Sequence, residues 1–271
     1  MKPLRIVIGY DGSEDSNQAL AWARSVSEGL EGGSELHLVG AMGLIFLPRF
    51  PESATVDAVL GEQEEEIRDV LLATREELAS AGIDAQIHLR RWFPSEAILT
   101  VAKEIEADLV VVGSHDGGWR ERLVLGSVSA EVVDRATLPV LVARGGRTPR
   151  SPRRVLVGVD GSVHSIRALR VARTLFPGAQ LTATGGRHHA EGPREKDLGE
   201  AVRAAEIAPD AVRFSSLEGS PAAALLEASR DEEADVIVVG RRGIGTLEKL
   251  VLGSVSEKLL QLAPCPVVLV N

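Results

Sequence analysis

The sequence is poor in several residue types, and each shortage excludes a class of protein. A single cysteine among 271 residues excludes an internal disulfide and a four-cysteine zinc site. Aromatic residues make up only 3% of the chain, so the core must be aliphatic, as it is in parallel α/β sheets. The chain contains no apolar run of about 18 residues, and we therefore expect no membrane span.

The amino terminus and the net charge bear on where the protein is located and on which ligands it binds. The opening sequence MKPLRIVIGYDGS leads straight into an apolar strand pattern without the design of a signal peptide, which predicts a cytoplasmic protein. The net charge of −9 argues against binding to nucleic acid. Residues 1–144 carry 13 basic and 24 acidic side chains, whereas residues 155–271 carry 13 and 15. The first half is therefore the less favourable place for a polyanion.

An internal repeat organises the chain. Residues 107–133 (ADLVVVGSHDGGWRERLVLGSVSAEVV) align with residues 234–260 (ADVIVVGRRGIGTLEKLVLGSVSEKLL) at a constant offset of 127. The stretch Leu-Val-Leu-Gly-Ser-Val-Ser is identical in both copies. The repeat predicts two domains, residues 1–144 and 155–271. They are joined by residues 145–154, a Gly/Pro/Arg linker that cannot form a core.

Strand patterns alternate with helix patterns in both halves, which predicts βαβ units and a parallel sheet with right-handed crossovers. In such a sheet, ligands bind outside the carboxyl ends of the strands, where the strand order reverses. From Asp11 to Gly113 is 102 residues, and from Asp160 to Gly240 is 80. The second half therefore lacks 22 residues, mainly in the long loop at residues 40–57 and in part of the second helix.

Small residues and a helix start follow the fourth strand of the second half. The spacing is Gly240, two residues, Gly243, nine residues, then Gly253 and Ser254. Glycine lets the backbone approach a ligand closely. Ser254 and Glu257 have the spacing of a capping box, which predicts a helix N-terminus with free backbone N–H groups. Together these features predict an anion site, and phosphate is the usual anion.

An Asp-Gly-Ser tripeptide follows the first strand of each half, starting at Asp11 and at Asp160. Asp160 and Gly240 both lie at strand ends and can face one crevice, where Asp160 can accept hydrogen bonds from a sugar or a base. Asp-Gly-Ser is equally ordinary as a turn or a helix cap. The sequence leaves both interpretations open.

Tandem copies with Asp after the first strand and Gly-x₂-Gly-x₉-Gly-Ser after the fourth resemble the universal stress proteins, over almost the whole chain apart from the linker. The resemblance implies two Rossmann-like domains of the adenine nucleotide alpha hydrolase-like type, each with a mostly parallel five-stranded sheet. It also implies a pseudo-dimer that forms through Val140–Val142 and Val267–Val270. In this family the motif marks the ATP-binding members, so the expected ligand is ATP, with or without Mg²⁺.

The same resemblance implies roles for individual residues of the second half. Asp160 would contact the ribose or the adenine, and the backbone of Gly186 would lie beside the adenine. Gly240 and Gly243 would let the loop fold over the ribose and phosphates. Further contacts would come from the turn after the first strand, from two cations, and from N–H groups and hydroxyls at the helix start: Gly161, Ser162, Arg241, Arg242, Gly253, Ser254, Val255 and Ser256.

The first half departs from this pattern at one position, because Asp116 replaces the second glycine. Two negative charges 4 Å apart repel by roughly 4 kcal/mol at an effective dielectric near 20. That repulsion alone lowers affinity about a thousandfold. The other matching positions are present: Asp11, Gly113, Gly126, Ser127, Val128 and Ser129. We expect ATP in the second half, and in the first only if the loop turns Asp116 outward or a divalent ion bridges it.

The motifs of two large enzyme classes are absent from the sequence. It contains no GxxxxGK[ST] and no GxGxxG after either first strand, and no catalytic base or metal site is evident. Together with the resemblance, this absence predicts a nucleotide-binding stress-response or regulatory protein that acts on an unidentified protein partner and not as an enzyme. The alternatives are a slow ATPase or nucleotidyl-transfer enzyme, and a scaffold with vestigial sites. The sequence leaves open whether two chains form a homodimer.

Overall fold

The structure, a computed structural model, describes residues 2–42, 56–114, 125–144, 148, 151–187, 195–241 and 252–271. Within each half the described strands alternate with helices, as the sequence predicts for βαβ units. The strands are β1 (Leu4–Gly9), β2 (Ser34–Ala41), β3 (Ala85–Arg90), β4 (Leu109–Gly113), β5 (Val140–Ala143), β6 (Arg154–Gly158), β7 (Gln180–Arg187), β8 (Val212–Glu218), β9 (Val236–Gly240) and β10 (Val267–Val270).

The helices connect these strands in chain order. They are α1 (Glu14–Glu28), α2 (Val56–Ser80), α3 (Pro94–Glu104), α4 (Ser127–Arg135), α5 (Val163–Leu175), α6 (Glu195–Ala204), α7 (Pro221–Asp231) and α8 (Ser254–Leu262). The second-half counterpart of α2 is α6, which has 10 residues where α2 has 25. This difference accounts for most of the 22 residues that the second half lacks.

The strands of the described ranges form one continuous sheet in the order β3-β2-β1-β4-β5-β10-β9-β6-β7-β8. Within each half the neighbouring strands are parallel, whereas β5 and β10 pair antiparallel, with Leu141 opposite Val268. The sheet therefore consists of two α/β units joined through their last strands, as expected. This pairing also covers two apolar strands that would otherwise be exposed edges.

The core lies on both faces of the sheet and is almost entirely aliphatic. Successive residues of a strand point to opposite faces. Ile6 and Ile8 accordingly pack in the cluster that includes α1, α2, α5 and α6, and Val7 packs in the cluster that includes α3, α4, α7 and α8. Each cluster contains residues of both halves, so the two units share their hydrophobic layers. Among the described helices, none is long and apolar enough to cross a membrane.

Candidate functional site

The strand order reverses once in each half, and most of the predicted site residues that the structure describes lie on the elements at that reversal. In the second half the chain runs from β6 outward through β7 and β8, then returns to β9 on the other side of β6. Because β6 and β9 are parallel neighbours, Asp160, just after β6, and Gly240, the last residue of β9, lie at the same edge of the sheet. Gly186 lies in β7, beside β6. In the first half, β1 and β4 bring Asp11 and Gly113 to the equivalent edge.

The two Asp-Gly-Ser tripeptides form the same turn. The Oδ1 atom of Asp160 accepts the backbone N–H of Ser162 at 2.9 Å, and Gly161 has a φ of +83°. The Oγ atom of Ser162 then accepts the N–H of Ser165 at 3.2 Å and caps α5. Asp160 is thus a turn residue at a strand end, a placement that keeps its carboxylate at the edge where a ligand would bind.

The first-half turn shows the same contacts, with Asp11 accepting the N–H of Ser13 at 3.0 Å. Partial burial of Asp11 opposes ionisation, but hydrogen bonds from Ser13 and Ser16 outweigh it and hold the pKa of this carboxyl below its ordinary value. Asp11 is therefore a carboxylate at neutral pH.

Helices α4 and α8 begin differently from α1 and α5. Ser13 and Ser162 cap α1 and α5 through their side chains, whereas the N-caps of α4 and α8 are Gly126 and Gly253, with no side-chain cap bond. The first N–H groups of a helix have no partner within it. In α8, these donors belong to Ser254, Val255 and Ser256, since the first helical bond runs from Glu257 N–H to the Gly253 carbonyl. Within the described part of the chain these three N–H groups have no hydrogen-bond acceptor, so they can bind an anion.

This geometry corrects the predicted capping box. Ser254 was expected as the N-cap, but it is the first helical residue, and Gly253 holds the capping position. A glycine cap has no side-chain oxygen to occupy the N–H groups of the first turn. The first N–H groups of α8 thus have no side-chain cap because the capping residue is a glycine, and not because a Ser254–Glu257 capping box begins the helix. In the first half, Ser127 and Val128 start α4 after Gly126 in the same way.

The second serine of each Gly-Ser-Val-Ser stretch faces inward. Ser256, whose exposed fraction is 1%, donates its hydroxyl to the Gly240 carbonyl at 3.0 Å. Ser129 donates to the Gly113 carbonyl at 2.5 Å. These bonds hold the start of each helix against the end of the preceding strand. The expected hydroxyl contact of Ser256 with phosphate is therefore corrected, because only its backbone N–H belongs to the open helix start.

Gly113 is required by packing within the first half. A Cβ atom at this position would lie 2.5 Å from the carbonyl oxygen of Asp15 in α1. That distance is too short for any side chain, so β4 can pass the start of α1 only with glycine. The sequence explained this glycine by the approach of a ligand, and the structure adds a reason that holds without one.

Arg241 has a different environment from the expected one. It follows Gly240 directly, yet its side chain is only 6% exposed, and its guanidinium contacts Asp134 and Ala136 of the first half. This corrects the expected role of the Arg241 side chain as a cation beside the phosphates. The sequence signal for this contact is a difference between the copies, because the offset of 127 places Ser114 opposite Arg241. The other predicted positions in the two loops, Arg242, Gly243 and Asp116, lie outside the described residues.

In the part of the chain that the structure describes, no group of three or more His, Cys, Asp or Glu side chains has the arrangement of a metal site. The single cysteine, Cys265, is buried, and this burial raises the pKa of its thiol to about 12. A thiol with that pKa stays protonated at neutral pH and is a packing residue.

The fold defines a class of protein: a tandem Rossmann-like α/β chain whose strand order reverses once in each half. The sequence profile of the universal stress protein family matches residues 4–144 and 173–271. The chain belongs to the universal stress protein family, as the sequence resemblance indicated.

Individual relatives match over the full length of the chain. A universal stress protein of Mycolicibacterium smegmatis is 30% identical over 290 residues, covering 98% of this chain and 96% of that protein. A universal stress protein of Mycobacterium tuberculosis is 31% identical over 290 residues, covering 97% and 95%. The crystal structure of a universal stress protein from Archaeoglobus fulgidus has a TM-score of 0.80 at 24% identity, covering 98% of both chains. The tandem arrangement is thus shared with full-length relatives.

Proposed function

We propose that the second half of this universal stress protein binds ATP, with the phosphates at the start of α8 and the nucleoside beside the turn at Asp160. Occupancy of this site would set the conformation that an unidentified protein partner meets in a stress response. The protein acts in this proposal by binding and not by catalysis.

The observation that carries the proposal is the open start of α8 at the strand-order reversal. Gly253 leaves the N–H groups of residues 254–256 without a side-chain cap, and Ser256 fixes their position against Gly240. An uncapped helix N-terminus attracts phosphate through its N–H groups and its dipole. Asp160, at the same edge of the sheet, supplies a carboxylate that can accept hydrogen bonds from the hydroxyl groups of a ribose.

The first experiment measures nucleotide stoichiometry. The protein is purified without added nucleotide, any bound species is extracted and identified, and ATP is titrated calorimetrically into the stripped protein with and without Mg²⁺. We expect one ATP per chain, because the negative charge of Asp116 repels the phosphates of a second ATP in the first half. Two ATP per chain would show that Asp116 is accommodated, and no binding at millimolar ATP would refute the proposal and leave a scaffold.

Matched variants then locate the bound nucleotide. Gly253 has φ −67° and ψ 147°, and Gly126 has φ −57° and ψ 149°, which are conformations that alanine also adopts. Gly253→Ala therefore tests close approach of the ligand without straining the backbone, and Gly126→Ala is the same change in the first half. We expect about tenfold weaker ATP binding or more in Gly253→Ala and no change in Gly126→Ala.

A second pair of variants separates the two interpretations of Asp160. Asp160→Asn keeps the Oδ1 atom that accepts the Ser162 N–H but removes the charge. If Asp160 contacts the nucleotide, this variant keeps its stability and loses about tenfold or more in ATP affinity, while Asp11→Asn binds normally. If Asp160 only forms the turn, both variants bind ATP as the wild type does.

A further inference from the structure

Arg241 connects three elements of the second half through its backbone. Its N–H donates to the Val270 carbonyl at the end of β10, at 2.7 Å. Its carbonyl accepts the N–H of Gly253 at 3.0 Å and lies 3.4 Å from the hydroxyl of Ser256. The residue that follows β9 is therefore bonded directly to the open start of α8. A displacement of Arg241 would therefore also displace the N–H groups that are proposed to bind phosphate.

The side chain of Arg241 crosses to the first half. The guanidinium donates to the carbonyl and the carboxylate of Asp134, the latter at 3.0 Å, and to the Ala136 carbonyl at 3.3 Å. These acceptors lie at the C-terminus of α4, where the helix dipole favours a positive charge. The guanidinium is buried, so it cannot move away from these acceptors without leaving a charge unpaired.

The first half makes a related contact in the opposite direction, from a different place in the chain. Arg144, which follows β5, donates to the carbonyls of Leu259 and Ala263 at the C-terminus of α8, at 3.3 and 3.2 Å. Ala263 is the counterpart of Ala136 at the offset of 127, so the targets are equivalent. The two arginine donors are not at equivalent positions. Arg241 starts the segment between β9 and α8, whereas Arg144 follows β5, the last strand of the first half. Ser114, the counterpart of Arg241, keeps the backbone bond, to Ala143 at 2.8 Å.

We propose that Arg241 is a positioning residue that holds the start of α8 in register for phosphate and ties that register to α4 of the first half. The link exists for the ATP site of the second half alone, because only the second half has arginine at this position. It rests on the proposed function, since it assigns a means of regulation to the same ATP site. A change in the packing of α4 would then alter ATP affinity in the second half, and ATP binding would stabilise the end of α4.

The first test uses nucleotide-free protein and measures amide hydrogen exchange. We expect Arg241→Gln to speed exchange about tenfold or more in peptides that cover residues 253–257 and 134–137, at the bonded N–H groups of Gly253, Glu257 and Ala136, because a buried charge-assisted network is lost. Arg144→Gln is the matched control, which removes a guanidinium from the same interface. It should speed exchange at residues 259–263 and leave residues 253–257 unchanged. If the two variants affect residues 253–257 equally, or if neither does, the proposal is wrong.

Arg241→Lys covers the case in which the glutamine variant does not fold. Lysine keeps the charge but lacks the planar fork that reaches several acceptors at once. We expect a folded protein whose exchange at residues 253–257 lies between those of the wild type and the glutamine variant. Exchange in folded Arg241→Lys that equals the wild type would overturn the positioning role.

Calorimetric titration of the same proteins with ATP tests the link to the site. Arg241→Gln should bind ATP about tenfold more weakly or worse, and Arg144→Gln should bind within about twofold of the wild type. A wild type that binds no ATP refutes the proposed function and the regulation of that site. Unchanged exchange in nucleotide-free Arg241→Gln refutes the positioning role even when the wild type binds ATP. The two failures are therefore distinguishable.

Discussion

Gly161 has a φ of +83°, and a Cβ at this position would have no heavy atom within 4 Å. Substitution by alanine therefore costs backbone strain and no steric clash. We expect Gly161→Ala to lower the free energy of unfolding by about 1–2 kcal/mol, measured by urea denaturation without nucleotide.

Gly178→Ala is the control for this prediction. Gly178 has equally open surroundings but no positive φ. Its replacement should leave stability unchanged or raise it by up to about 1 kcal/mol, because alanine restricts the unfolded chain. Equal effects of the two substitutions would show that the turn at Asp160 does not require glycine.

At the scale of elements, β2 and β3 bring two histidines together. His37 Nδ1 lies 3.0 Å from His88 Nε2, and His37 is 3% exposed. Burial lowers the pKa of His37; Glu35 partly offsets this shift and Arg5 adds to it. Burial also lowers the pKa of His88, with contributions from the charges of His37 and Arg90 against that of Glu104. The folded protein thus favours neutral imidazoles at this edge of the sheet.

A pH dependence of stability follows from these two shifts. An unfolded histidine titrates near about pH 6.5, and the folded pKa values lie lower, so the unfolded chain binds more protons as the pH falls below that point. The pair contributes its full stability above about pH 6.5 and loses it on acidification. We expect the unfolding free energy to fall between pH 7.5 and 5.5, by less in a His37→Gln/His88→Gln double variant. Identical pH slopes for the two proteins would contradict this assignment.

The element scale also shows where sequence patterns are sufficient. Apolar runs and their periodicity predicted the alternating strands and helices of both halves, because burial of one strand or one helix face depends on local spacing. The start of α8 was predicted with the wrong capping residue. Ser254 and Glu257 match a capping box, but the hydrogen bond from Gly253 N–H to the Arg241 carbonyl and the inward hydroxyl of Ser256 set the helix start instead. Those partners are close only in the folded chain.

At the scale of the whole molecule, the joint between β5 and β10 makes one sheet of two halves. Leu141 is fully buried there, opposite Val268. We expect Leu141→Ala to lower the free energy of unfolding by about 2–5 kcal/mol through loss of burial and a residual cavity. Because both halves share their hydrophobic layers, the two should unfold together.

Two spectroscopic probes check that cooperativity. The three tryptophans, at positions 22, 92 and 119, all lie in the first half, so their fluorescence reports on that half, whereas far-ultraviolet circular dichroism reports on both. The two urea transitions should coincide in the wild type and shift together in Leu141→Ala. A fluorescence transition that moves alone would show that the halves unfold independently.

The sequence by itself determined the alternation of strands and helices, the doubling of the unit, and the presence of Asp160 and Gly240 at strand ends. These properties follow from local periodicity and from a repeat at constant spacing, which no tertiary contact alters. Only the tertiary structure decided that Gly113 must clear the backbone of Asp15 and that Arg241 faces the other half. The first-half acceptors of Arg241 lie 105 and 107 residues away, and a buried guanidinium takes its direction from the acceptors that folding brings to it.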